Sequence, residues 1–167
     1  MSTDGNPVKP IVQYPEEGNV TIDNPIVRDF CDYCLTVKPR SDFADRVNFD
    51  PFKLRPWLGF IVILEHLPVE NDFRYRIYGT HLADQTGLDM TGRLVSDYDV
   101  ELSQLNLQLY RESVEKRQLM YSAHTRIYAR YDCDWRRIIC PVKAGEKIQV
   151  VAFSYPVERP KRRQFGE

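Results

Sequence analysis

The chain has 167 residues, 43% hydrophobic and 12% aromatic, with a formal net charge of −1. One domain of this length has material for a real core, which excludes disorder as its general state. The near-zero charge excludes a global field recruiting nucleic acid or a membrane, and no apolar run reaches the roughly 18 residues that span a bilayer.

The start, MSTDGNPVKP, lacks the apolar core of a signal peptide, so a cytoplasmic location is expected. Residues 1–24 carry Gly5, Gly18, Pro7, Pro10 and Pro15 and read as a flexible lead with an extended piece around Ile11 to Tyr14. Asn24 and Pro25 then supply a cap and a first-turn proline. Ile26, Phe30, Tyr33 and Val37 follow at helical spacing, predicting a helix over 25–38. Its narrow stripe suits the outside of a sheet or the same helix of a second copy. Cys31 and Cys34 have the spacing of half a zinc site or a redox pair. The other two cysteines, Cys133 and Cys140, have six residues between them, and on a strand an odd separation points them to opposite faces. All four are expected to be reduced core residues, with no metal bound.

A connector rich in turns, including Asp50-Pro51 and Arg55-Pro56, leads to the anchors Trp57 and Leu58. Phe60 to His66 is an apolar strand, turning at 67–71 into a second strand and so into an antiparallel hairpin. In that strand Phe73, Tyr75 and Ile77 share one face, and Arg74, Arg76 and Tyr78 the other. The second face reads either as solvated or as meeting the N-terminal helix or a second copy. Gly79 breaks the alternation, Thr80 can cap a short helix over 81–86, and Gly87 can end it in a left-handed conformation. A further turn lies at Thr91-Gly92-Arg93.

A long helix is predicted over 99–117, with stripes at Leu102, Leu105 and Leu109 and at Leu107, Tyr110 and Val114. Arg111 and Glu115 are placed to pair along it. From Leu119 to Tyr131 the chain alternates: Leu119, Tyr121, Ala123, Thr125, Ile127 and Ala129 on one face, Ser122, His124, Arg126 and Arg130 on the other. After a turn at 131–134, strands are expected over 135–142 and 148–157, joined by Ala144-Gly145-Glu146. The basic run from Arg159 to Arg163 reads as a solvated tail over 158–167, with contact to an acidic partner, nucleic acid or a membrane surface as the other reading. The fold class is therefore α+β: one domain over 25–157, five antiparallel strands with helices segregated to one face.

The order of pieces resembles the PAS superfamily, most closely its compact group common in alphaproteobacteria. Asp50-Pro51 with Leu54, the Trp57-Leu58 anchor, Phe73 to Thr80, Gly87-Leu88, Thr91 to Arg93, and Ile138 to Val142 carry the resemblance. It implies a five-stranded antiparallel sheet with a helical crossover, and a non-catalytic sensory or regulatory module. PAS domains hold small ligands between sheet and crossover, or pair through the sheet and an N-terminal helix. Few residues follow Val157, so the expected output runs through a separate signalling protein, with a homodimer and a small-molecule ligand as further expected partners. An Asn-Cys-Arg flavin motif is missing, and no histidine falls on the long helix where a haem ligand usually sits. The cofactor stays unknown.

A ligand pocket, on this reading, is lined by Ile61, Ile63, Tyr75, Ile77, Leu107, Tyr110 and Ile127. The same residues serve equally as plain core. One alternative is a small α+β enzyme with a cone-shaped pocket and Asp84, His81 or Tyr110 as acid and base. Another is a pure homodimerisation module. No phosphate loop, Gly-x-Ser-x-Gly turn or His-Glu-x-x-His occurs, and no catalytic residue is assigned.

Overall fold

In chain order the computed structural model contains β1 (Ile11–Gln13), α1 (Pro25–Val37), β2 (Ala44–Asp45), β3 (Ile61–Leu67), β4 (Asp72–Tyr78), α2 (Thr80–Thr86), α3 (Val100–Lys116), β5 (Met120–Ile127), β6 (Tyr131–Ala144), β7 (Lys147–Pro156) and β8 (Lys161–Arg162). It describes residues 10–98, 100–127, 131–157 and 161–162, with side chains described except at 100–102, 127, 131–132 and 161–162. Strands β5-β6-β7-β3-β4 lie side by side, each antiparallel to its neighbour, and form the expected five-stranded sheet.

The sheet is larger than those five. β1 adds an antiparallel strand outside β5, with Ile11 opposite Ala123. β6 outruns β5, which covers it only from Asp132 to Ile139; beyond that point β2 pairs parallel with it, Ala44 opposite Val142. At the other end of β6, Lys161 and Arg162 of the basic tail pair with Asp132 and Tyr131.

Both faces are covered, which corrects the expectation of helices on one side. α1 buries Val27, Phe30, Cys31 and Cys34, the i, i+3, i+4, i+7 face of a helix, against Ile61, Ile63, Ile138, Cys140, Val151 and Phe153. This stripe differs from the expected one, and Ile26 is left exposed. Asn24 Oδ1 starts the helix by accepting from the Ile26 and Val27 amides at 3.0 and 3.1 Å. On the opposite face α2 and α3 bury Leu82, Leu107, Leu109 and Tyr110 against Val62, Leu64, Phe73, Tyr75, Val150 and Ala152. Cys133 and Cys140 fall in these two different layers.

The end of the lead is held to the body. Lys38 Nζ lies 2.9 Å from Glu16 Oε1 with both side chains buried, and Glu16 Oε2 accepts the Leu119 amide at 2.7 Å. From Ile11 onward the segment expected to be flexible is therefore tied to β5 and to the end of α1.

Local details differ in informative ways. Gly79, not Thr80, is the N-cap of α2, and no side chain caps it. Gly87 ends α2 at φ 78°, its amide reaching Ala83 O at 2.7 Å. The i,i+4 pair on α3 is Glu112 with Lys116 (2.7 Å), while Arg111 donates to Asn71 O instead of pairing with Glu115. Residues 131–134, expected as a turn, are the first residues of β6.

Candidate functional site

β4 decides which side chains meet beneath the crossover. Leu64 stands opposite Tyr75, yet its neighbour Ile63 stands opposite Ile77, so Arg76 is an extra residue in the ladder. A bulge of this kind breaks the period-2 alternation at one point. Tyr75 and Tyr78, on opposite faces by simple parity, both turn towards α2 and α3, while Ile77 is left 38% exposed. Arg76 instead pairs with Glu65, which also takes Lys147 at 3.2 Å.

Between the sheet and the helices lies a cavity of about 70 Å³. Val62, Leu82 and Met90 make its apolar wall; Tyr75, Tyr78, Tyr98, Tyr110 and Trp135 surround it with rings. Asn106, His124, Arg126, Arg137 and Ser154 make the remainder polar. Drug-sized sites begin at ~300 Å³, so this one suits an occupant of few heavy atoms.

The polar wall comes from alternation on the central strands. His124 and Arg126 on β5, and Trp135 and Arg137 on β6, are i,i+2 pairs, with His124 directly opposite Trp135 and Arg137 opposite Ser154 of β7. Arg137 Nε donates to Ser154 Oγ (3.1 Å) and Nη1 to Asn106 Oδ1 of α3 (2.7 Å). Its guanidinium lies 5.8 Å from the Tyr110 ring centre, and that of Arg126 lies 5.2 Å from the ring of Tyr98. Burial, then the charges of Arg137, Arg126 and Arg136, hold the His124 imidazole down at about 3, so it is neutral at physiological pH. Burial, with Tyr110 and Tyr78 as neighbours, raises the Tyr75 phenol.

Two of the residues expected to line a pocket, Tyr75 and Tyr110, line this one. Ile61 and Ile63 do not: they point to the other layer, beneath α1. Ile77 is turned out by the bulge, and Leu107 is buried in the neighbouring core without reaching the cavity. The Ile127 side chain lies outside the described residues. On β5 it is the polar parity, with His124 and Arg126, that faces the cavity. Arg137 was detectable, because a strand with Ile138, Cys140 and Val142 on one buried face has only the other parity for Trp135 and Arg137.

The acid and base of the enzyme alternative do not meet. His81 and Asp84 are exposed on α2, with the His81 ring 5.0 Å from that of Phe60, while Tyr110 is in the cavity. Among the described residues no three His, Cys, Asp or Glu side chains cluster as a metal site. Burial raises the Cys31 thiol to about 12 and raises that of Cys34, which neighbouring Cys140 raises further.

A family model described as a PAS domain matches residues 22–147. The chain belongs to the PAS domain family. No curated protein and no solved structure matches it. PAS domains are generally sensory modules without catalytic activity, and they commonly mediate interaction and dimerisation. In this PAS domain the match takes in α1, the crossover and β3 to β6, and so every element facing the cavity except β7 beyond Lys147. Among its described residues no helix is long and apolar enough to cross a membrane.

Proposed function

We propose that this PAS domain is a regulatory module whose input is a small molecule in the cavity and whose output is contact with a second protein, as a homodimer or with a separate signalling partner. The cavity between the sheet and the crossover is the observation that supports the reading. Its wall includes Leu82, Thr86 and Met90 from α2 and the loop after it. The loop after α2, which carries Met90, is bounded by Gly87 and Gly92, both at positive φ. A ligand touching it has a differential interaction with any alternative placement of the segment, which is the requirement for shifting a population.

Native mass spectrometry of the protein from its own host, followed by denaturing extraction, tests this reading. The expected result is a stoichiometric small molecule, or a dimer or mixed complex whose mass changes when that molecule is removed. A ligand-free monomer without any captured protein removes the reading.

A further inference from the structure

Arg137 is the one residue of the cavity whose burial is hardest to explain by the fold alone. It is 7% exposed, in the middle of the sheet, and its two protein acceptors, Ser154 Oγ and Asn106 Oδ1, are both neutral. Nη2 makes no hydrogen bond to a described residue, and no described carboxylate pairs with the guanidinium. None of the residues lining the cavity is acidic. A buried cation without a counter-charge is strongly unfavourable, and natural proteins pair such groups.

A second group on the same wall is also incomplete. His124 is 7% exposed, and its Nδ1 is buried without a hydrogen-bond partner. Buried polar atoms are nearly always satisfied, and this one is an orphan on a residue that lines the cavity. Arg126, stacked on Tyr98, adds positive potential at the same side. The wall is thus positively charged, and among the residues lining the cavity there is no carboxylate to answer it.

We infer that the cavity takes the carboxylate of a small organic acid, held by Arg137 and His124, with its apolar body against Val62, Leu82 and Met90. The inference rests on the reading of the cavity as a ligand site and names the ligand's class. A guanidinium fork donates equally well to carboxylate or phosphate oxygens. The apolar and aromatic walls decide between them, since inorganic phosphate needs polar partners on every side and an amphiphilic monoanion does not.

The test is calorimetric titration of the full chain with acetate, propionate, butyrate and benzoate, each beside its neutral amide, and with inorganic phosphate. At least one acid binds saturably, and its amide binds about 30-fold more weakly or worse, the usual consequence of leaving a buried charge unpaired. R137M loses the acid by a similar factor, R137K retains part of the affinity, and H124Q loses less than R137M. Ligand-free R137M melts no lower than wild type, because an unpaired buried charge has been replaced by an apolar chain. Should R137M not fold, the acid–amide comparison and R137K carry the test. An amide binding as well as its acid, or affinity indifferent to R137M and R137K, overturns the inference but leaves the cavity a ligand site. Phosphate binding without any acid overturns the carboxylate assignment. Failure of every probe overturns the inference and weighs against the ligand reading as well.

Discussion

Gly79 rests directly on the carbonyl of Gly59: a Cβ at Gly79 would lie 2.2 Å from Gly59 O. The Gly79 amide donates to Ile61 O at 2.8 Å, so the crossover leaves the sheet at its closest approach to the preceding strand. At φ −57° the backbone itself suits any residue; contact alone demands glycine. G79A must move one backbone against the other, a cost of about 1–3 kcal/mol. Thermal unfolding is expected to show a drop of about 2–4 °C per kcal/mol. Near-UV circular dichroism should change with it, since the α2 wall of the cavity shifts. G87A, by contrast, meets open space but a φ of +78°, and costs only about 1 kcal/mol, without moving that wall.

Lys38 and Glu16 form a pair whose loss is severe. Lys38 Nζ also donates to Pro39 O (3.0 Å) and Arg117 O (2.8 Å), and Glu16 also accepts from the Ser41 and Leu119 amides. K38M leaves a buried carboxylate without its cation, which destabilises by about 3–5 kcal/mol. Adding E16Q to K38M should recover part of the loss, giving a coupling energy in a urea-unfolding double-mutant cycle. Strict additivity of the two substitutions would contradict this account.

Stability should fall on acidification well before the carboxylates titrate. His124 stands at about 3 in the folded protein and 6.5 when unperturbed. Between these values the unfolded chain binds a proton that the folded one refuses, so stability is full above pH 6.5 and declines as pH falls. Down to pH 5 the loss is about 2 kcal/mol. Urea midpoints measured across this window should flatten in H124Q. A wild-type curve with no slope there would show that the imidazole is not held neutral.

The four cysteines are all buried and free. With Cys31 pushed to about 12 and Cys133 to about 11, scarcely any thiolate of these two exists at neutral pH. Alkylation by iodoacetamide is expected to follow global unfolding, at rates matching hydrogen exchange of core amides, rather than native thiol chemistry. Rapid labelling of Cys31 or Cys34 in the native protein would reopen the redox reading of that pair.

Local chemistry made much of the architecture legible. Asn24-Pro25 could only start a helix well, Gly87 could end one without strain, and the alternation of Leu119 to Ile127 required a strand. The site was less legible because burial on this sheet does not follow hydrophobicity. On β5 the apolar parity does go inward, beneath α1, but the polar parity goes inward too, around the cavity. A strand covered on both faces has no solvent side, so polarity ceases to report exposure.

What the sequence determined by itself was the kind and order of elements, because caps, turns and periodicity act over a few residues. Tertiary structure decided which face of each element became the cavity. The extra residue Arg76 in the β4 ladder brings Tyr75 and Tyr78 to one side and turns Ile77 out, and the docking of α1 removes Ile61 and Ile63 to the opposite layer. Such choices depend on the register between strands far apart in the chain, and a one-residue shift exchanges every side chain between faces. Arg137 facing Asn106 across the sheet and α3 is the product of that register.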